Sequence, residues 1–224
     1  MVTLNTPVYI KFIGDGSADI GPMDASEVFP TLGVIPNLVF TLCGRPDSMR
    51  VRRVKPAFHQ SKGGRQKKIL LARLRARYEN DCAGIIYVVD TEGDDVKTLL
   101  RDMSASRDSG DRSAPMVIGV AHPCLEVWLM ADAAPIKKVF GLDSSPQVPA
   151  KPEELPAPCH DRKRNPKTEL VRCAGVQQRS DLSVEQKTQI ARAIHVLDRI
   201  KERCPLSFAP FAAEVEQYIK PLFA

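Results

Sequence analysis

Acidic residues follow three of the apolar segments in this 224-residue chain, at the point where each segment ends. The carboxyl ends of parallel strands meet at one edge of a sheet, where neighbouring strands lie about 4.8 Å apart. Carboxylate oxygens placed in this way are the ligands that Mg²⁺ or Mn²⁺ prefers in proteins. The pattern therefore predicts a divalent-cation site at this edge. The candidate ligands are Asp15 and Asp19 after the first segment, Asp90, Glu92, Asp94 and Asp95 after the second, and Glu126 after the third.

Each of these acids also has an ordinary structural interpretation. Asp15 lies with Asp19 in a glycine-rich turn, where aspartate commonly bonds to the nearby backbone. Asp90 could cap a helix, and Glu126 could complement the helix dipole from a first turn. Three acids at three strand ends are harder to explain in this way than any one of them, and both interpretations stay open.

The elements that would position these acids alternate along the chain. Apolar runs predict five strands, at 8–13, 36–43, 49–55, 84–89 and 116–121. Amphipathic spacing and capping residues predict five helices, at 61–79, 96–103, 125–139, 183–203 and 208–218, with Ser183 as the N-cap of the fourth. This order predicts an α/β fold with a mostly parallel, three-layer sheet. Trp128 is expected in the core beneath the site.

Composition divides the chain into three parts. Residues 1–143 hold all the predicted strands and would form the α/β core. Residues 144–182 are rich in proline and then in basic residues, which predicts an irregular connection over the surface. Residues 183–224 would form C-terminal helices that pack on the core.

The sequence argues against several classes of protein. No apolar run reaches the roughly 18–20 residues that cross a bilayer. The first 13 residues lack the basic and apolar regions of a secretory signal, so we expect a cytoplasmic protein without membrane contact. The six cysteines are scattered without a C-x-x-C pair, which favours reduced thiols over a zinc or disulfide framework.

The net charge of +5 is unevenly distributed. Residues 48–78 hold eleven basic residues and no acid, whereas the rest of the chain, with 21 basic and 27 acidic residues, has a net charge of −6. Basic side chains of this density bind the phosphates of nucleic acids, although a solvated helix face is the alternative. The predicted phosphate contacts are Arg52, Arg53, Lys62, Arg65, Lys67 and Lys68.

Three motifs resemble those of Toprim-fold proteins: GDGSAD at 14–19, VVDTEGDD at 88–95 and HPCLEVWLMAD at 122–132. The segments PKTEL at 166–170 and CPLSF at 204–208 extend the resemblance, in order, over almost the whole chain. The chain is similar to a Toprim-like family of unknown function. That family is related in outline to the Toprim nucleases of the OLD and RloB kinds, which accompany ABC or SMC-type ATPases in phage defence.

This resemblance implies a Mg²⁺-dependent endonuclease that acts on DNA or RNA as the effector partner of such an ATPase. Asp15 would stand for the family's first acid, and Asp90 and Glu92 for its acidic pair. Glu126 would face the same site, and Lys167 would stabilise the charge of the phosphate.

The chain departs from the family pattern at two positions. Its first acid is Asp where Glu is usual, and its pair reads D-T-E rather than D-x-D. The alternative function is therefore a catalytically inactive, Toprim-shaped module that binds an ATPase partner and nucleic acid. A phosphatase acting on small substrates is disfavoured by the long basic segment. The chain lacks G-x-x-x-x-G-K-[ST], so ATP would be bound by the partner. It could also assemble as a homo-oligomer.

Overall fold

The computed structural model describes residues 6–14, 16–54, 82–108, 114–177 and 180–224. Four strands in these parts form one all-parallel sheet in the order β2-β1-β3-β4, which confirms the predicted α/β class. The strands are β1 (Val8–Ile13), β2 (Met49–Arg53), β3 (Cys82–Asp90) and β4 (Met116–Ala121).

The strand order creates a topological switch point between β1 and β3. The chain passes from the central β1 to β2 on one side and then returns to β3 on the other side. Ligands of open α/β sheets commonly bind outside the carboxyl ends of strands at such a point. Asp90 ends β3 and is in register with Ala121 at the end of β4, so the turns after both strands emerge at this edge.

Nine α-helices surround the sheet within the described parts of the chain. They are α1 (Ser17–Ile20), α2 (Val34–Leu42), α3 (Val96–Asp108), α4 (Glu126–Met130), α5 (Ala133–Phe140), α6 (Pro166–Cys173), α7 (Val184–Ala193), α8 (Asp198–Arg203) and α9 (Phe208–Glu214). A π-helical turn (Val215–Ile219) and a 3₁₀ turn (Lys220–Phe223) follow α9. None of the helices described is long and apolar enough to cross a membrane. The helix predicted at 61–79 lies outside the described residues.

Helices cover both faces of the sheet. On one face, Met103 of α3 packs among side chains that include Tyr87 and Ile118. On the other face, Trp128 of α4 is fully buried, as expected, with the rings of Phe208 and Phe211 at 5.1 and 5.3 Å from its own. The C-terminal helices therefore share one hydrophobic core with the sheet.

The strand predicted at 36–43 is wrong, because this segment forms helix α2. A short apolar run that is buried on all sides has no periodicity to separate a strand from a helix. The structure shows what favours the helix. The side-chain amide of Asn37 donates to the carbonyl of Gly33 at 2.6 Å and to that of Thr31 at 2.8 Å. It thereby satisfies two backbone carbonyls just before the first residue of the helix. Pro36 lies in the first turn, where no intrahelical donor is needed.

Two predicted helices are each divided, and at each break a carbonyl accepts a bond from an arginine in a distant part of the chain. Helix 125–139 breaks before Ala133, because Pro135 cannot donate to the carbonyl of Ala131, which accepts a bond from Arg203 at 2.9 Å instead. Helix 183–203 breaks after Ala193, and the carbonyl of Ile194 accepts a bond from Arg45 at 3.1 Å. Ser183 caps α7 as predicted, accepting from the Gln186 amide at 3.2 Å.

Arg53, at the end of β2, holds the segment 20–32 against the outer edge of the sheet. A guanidinium group has five N–H donors, and all five of them bond to acceptors in this segment. The acceptors are the carbonyls of Ile20, Ala25, Ser26 and Leu32 and the hydroxyl of Thr31. A phosphate contact with Arg53 would have to displace one of these acceptors.

We expect Arg53→Lys to lower the free energy of unfolding by about 2–4 kcal/mol, because an ammonium group cannot reach five acceptors at once. Urea unfolding would measure the loss. Arg50→Lys is the matched control, since within the described residues Arg50 bonds to carbonyls of its own turn, those of Asp47 and Met49, and it should lose less than about 1 kcal/mol. Equal losses in the two variants would contradict the anchoring role of Arg53.

Candidate functional site

Three side chains converge at the carboxyl edge of β3 and β4. Asp90 ends β3, Cys124 lies in the connection after β4, and Glu126 is the first residue of α4. One carboxylate oxygen from each acid and the Cys124 Sγ all lie within 4.8 Å of one another. The structure thus brings together two of the predicted metal ligands and adds a thiol that was not predicted.

A hydrogen bond from a backbone amide to a side chain places the two acids next to each other. The Asp90 Oδ1 accepts a hydrogen bond from the Leu125 amide at 3.0 Å. Asp90 therefore caps a helix start, as one interpretation of the sequence held, but the helix is the one that follows β4 rather than β3. This bond fixes the position of Asp90 relative to Glu126, the residue after Leu125.

Glu126 is a buried acid with one satisfied and one unsatisfied oxygen. Its side chain is only 6% exposed, and its Oε1 accepts from the Lys187 Nζ at 2.6 Å. Its Oε2 is buried and has no hydrogen-bond partner in the described part of the chain. Buried polar atoms are almost always paired with protein, water or an ion. The Oε2 atom is therefore placed to accept a further ligand.

Lys187 of α7 joins the site from the C-terminal part of the chain. Its Nζ also lies 2.7 Å from the Asp181 Oδ2, so a buried ammonium bridges two carboxylates. Lys167, in the first turn of α6, is close enough to the same carboxylates for their charges to act on it. Burial acts to lower its pKa, but Glu126 and Asp181 outweigh burial and raise it. Two cations thus accompany three carboxylates, those of Asp90, Glu126 and Asp181.

The charges of the site follow from these contacts. Burial acts to raise the pKa of Glu126, but the adjacent Lys187 ammonium, with help from the Cys124 thiol and Lys167, lowers it below its ordinary value. Burial, together with the charges of Glu126 and Asp90, raises the pKa of Cys124 far above that of a free thiol. At neutral pH the site therefore offers two carboxylates and a protonated thiol.

Two of the three donors suit a hard divalent cation. Asp90 and Glu126 supply carboxylate oxygens, and the Oε2 of Glu126 has no hydrogen-bond partner among the described residues. A thiophilic cation such as Zn²⁺ would have to displace the proton of Cys124, and burial opposes that loss.

Glu92 lies in the turn after β3, outside this three-residue group. It is exposed, and its φ of 53° turns the chain away from the strand direction. Its amide donates to the Pro123 carbonyl at 3.3 Å, and its own carbonyl accepts from the Cys159 thiol at 2.9 Å. The structure thus uses the backbone of Glu92, and the metal-binding role of its side chain stays a prediction.

His122 is held by Thr91, the residue between the two acids of the D-T-E pair. The hydroxyl of the buried Thr91 lies 3.0 Å from its Nδ1. Burial lowers the pKa of His122, against the opposing influence of Glu153 and Asp95. His122 is therefore more readily neutral than a free histidine at neutral pH.

Several of the predicted site residues lie outside the described part of the chain. These are Asp15, Lys62, Arg65, Lys67 and Lys68. Of the two predicted phosphate-binding arginines that are described, Arg52 lies 4.4 Å from the centroid of the Tyr9 ring and pairs with Glu27 at 2.8 Å. Arg53 uses its five donors within the chain, as described above. The nucleic-acid contacts of this segment stay predictions.

Sequence reasoning missed Cys124, Asp181 and Lys187. Cys124 lies inside the motif at 122–132, two residues before Glu126, so its proximity could have been noticed. Lys187 lies three residues before the apolar Ile190 and so on the same face of α7. A lysine on a buried helix face is a signal for a buried partner. Asp181 carries no such signal, because its role depends on where α7 docks.

Comparisons of the chain with protein-family models, curated proteins and solved structures found no match.

We expect Lys187→Met to lower the free energy of unfolding at pH 7 by about 3–5 kcal/mol, because it leaves Glu126 buried without its main counter-charge. The lowered pKa of Glu126 stabilises the wild type above the ordinary pKa of a glutamate, and this contribution is lost as the pH falls. In the variant, burial would raise that pKa and stability would fall as the pH rises. The difference between the two proteins should therefore grow from pH 4 to pH 7.

Urea unfolding in EDTA at both pH values would measure this difference. Lys201→Met is the control, since Lys201 pairs with Glu216 at 2.7 Å on the surface and should lose about 0–1 kcal/mol. A Lys187→Met penalty that is larger at pH 4 than at pH 7 would show that Glu126 is not ionised in the native state.

Proposed function

We propose that this chain is a metal-dependent, Toprim-like nuclease that cleaves phosphodiester bonds of DNA or RNA. The observation that supports the proposal is the pair of carboxylates at the carboxyl edge of the sheet, where Glu126 keeps a buried oxygen unpaired. Asp90 and Glu126 would hold Mg²⁺ or Mn²⁺. When bound, such a cation polarises the phosphate and lowers the pKa of an attacking water.

The residues of the chain would prepare this chemistry. The Leu125 amide keeps Asp90 beside Glu126, and Lys187 keeps Glu126 ionised despite its burial. Lys167 stands within the electrostatic field of Glu126 and would stabilise the negative charge of the phosphate. Burial of the site strengthens each of these interactions, because less water screens them.

The sequence motifs support a wider form of the proposal. The basic segment 48–78 would contact the nucleic-acid backbone, and an ABC or SMC-type ATPase would be the partner in anti-phage defence. An ATPase partner is consistent with the absence of a G-x-x-x-x-G-K-[ST] sequence in this chain. This part of the proposal depends on the Toprim-like motifs alone.

A second candidate function is a non-catalytic module that binds an ATPase and nucleic acid. The contact between the Lys187 Nζ and the Glu126 Oε1, at 2.6 Å, favours it. An ammonium group at this distance already provides the positive charge that a cation would bring to Glu126. In this alternative the buried ion pair has a purely structural role.

The two candidates differ in metal binding and in cleavage. We expect the wild-type chain to cleave plasmid DNA, single-stranded DNA or tRNA in Mg²⁺ or Mn²⁺. Asp90→Asn and Glu126→Gln should each reduce cleavage at least about 100-fold, because each removes a ligand of the cation. Titration calorimetry should show Mn²⁺ binding at least about tenfold weaker in both variants.

Asp198→Asn and Glu185→Gln are matched controls, because they make the same changes at acids on the surface of α8 and α7. Both controls should keep wild-type cleavage and Mn²⁺ affinity. Cleavage that survives in Asp90→Asn and Glu126→Gln would refute the assignment of the site. A wild-type chain that neither binds Mn²⁺ nor cleaves any of the three substrates would favour the non-catalytic module.

A further inference from the structure

Two neighbouring depressions lie beside the part of α7 that follows Lys187. The first has a volume of about 240 Å³, and its lining includes Phe29, Phe40, Arg45 and Arg192. The second has a volume of about 450 Å³, and its lining includes Lys138, Arg192 and His195. Arg192 borders both. Their sizes are near the range of about 300–1,000 Å³ that is typical of sites for small molecules.

The first depression has a flat, rigid, apolar wall. The rings of Phe29 and Phe40 are stacked at 3.9 Å with an angle of 8° between their planes, and both are half-buried. Asn37, which also lines the depression, is fixed by its bonds to the carbonyls of Thr31 and Gly33. Such a wall suits a planar, apolar group, because it buries that group without having to rearrange.

Positive charge surrounds this wall. Among the described residues, the linings of the two depressions hold three charged basic residues, a histidine and no acid, and these are Arg45, Lys138, Arg192 and His195. Partial burial and the charges of Arg45 and Lys138 act together to lower the pKa of His195, which shows that these side chains share one electrostatic field. An anionic group is therefore favoured here, and a cationic one is disfavoured.

Arg192 lines both depressions and carries a donor that the described residues leave unsatisfied. Its Nε is buried and has no hydrogen-bond acceptor in the described part of the chain. Because that atom is enclosed, an oxyanion would contact Arg192 through its terminal N–H groups, and arginine binds phosphates and carboxylates in this way. Arg45 is positioned by its bond to the Ile194 carbonyl, at the end of the same helix.

We propose that these depressions bind a nucleotide, with the base against Phe29 and Phe40 and the phosphate on Arg192 and Arg45. The nucleotide could be free, or it could be one unit of a single strand. The site uses neither Asp90 nor Glu126, so this inference stands independently of the proposed nuclease activity.

Calorimetric titration in EDTA, with no divalent cation present, would test the site. The probes are AMP, adenosine, inorganic phosphate and a six-nucleotide oligoadenylate. We expect AMP to bind at least about tenfold more tightly than adenosine or phosphate, because only AMP engages both the rings and the arginines. Tighter binding of the oligonucleotide than of AMP would identify a single strand as the source of the nucleotide, and the reverse order would identify the free nucleotide.

Arg192→Gln and Arg45→Gln should each weaken AMP binding at least about tenfold, through the loss of a charged hydrogen-bond donor. Arg101→Gln is the matched control, since Arg101 is an exposed arginine of α3 on the opposite face of the sheet, and it should bind AMP as the wild type does. Thermal melting would verify folding, and the exposed Arg45 provides a variant that spares the core.

The Asp90→Asn protein should also keep its AMP affinity, which separates this inference from the nuclease proposal. The absence of AMP and oligonucleotide binding by the wild type would overturn the inference. So would equal affinity in wild type, Arg45→Gln and Arg192→Gln, or phosphate binding as tight as AMP binding.

Discussion

The carboxylate of Glu126 is removed from water at the edge of the sheet, and such a charge is tolerated only when an opposite charge and hydrogen bonds replace the solvent. Lys187 meets this requirement from a position 61 residues further along the chain. Because the ammonium must reach the Oε1 of Glu126, α7 has to dock at the carboxyl end of β4. That docking brings α7 against α2 and α5 and closes the core on this face.

The same constraint explains why the site admits two functions. A lysine and a divalent cation both neutralise a carboxylate, and the two would compete for Glu126. The group nevertheless has three carboxylates for two ammonium groups, and the Oε2 of Glu126 is unpaired within the described residues. A cation beside Lys187 and a structural ion pair without a cation are therefore the arrangements that the two proposed functions require.

Helix α7 contributes residues to two different groups of side chains. Lys187 points to carboxylates, whereas Arg192, five residues later and about 7.5 Å along the helix axis, borders the positively charged depressions beside Phe29 and Phe40. A nucleic-acid enzyme needs both a cation site for the reaction and a surface that retains nucleotides. The structure places a candidate for each beside α7, on the side of the sheet that α2 and α9 also cover.

Local patterns in the sequence were enough to identify all four strands, with β2 inside the segment predicted at 49–55, and the acids that follow two of them. The runs at 8–13 and 116–121 match β1 and β4, and 84–89 lies within β3, because buried parallel strands are continuous, β-branched and bounded by turns. Parallel strands emerge at one edge, so Asp90 and Glu126 were expected to meet, and they do. The expectation for Asp15 falls on a residue that the structure does not describe.

Contacts between distant residues decided what local patterns could not. At the two helix breaks, the carbonyls of Ala131 and Ile194 accept bonds from Arg203 and Arg45, which are distant in sequence. The sequence by itself determined the α/β class and the acidic edge of the sheet, because hydrophobic periodicity and strand ends are local properties. Only the tertiary structure decided that Lys187 and Cys124 complete the site, because long-range packing sets the burial and the partners of a charge.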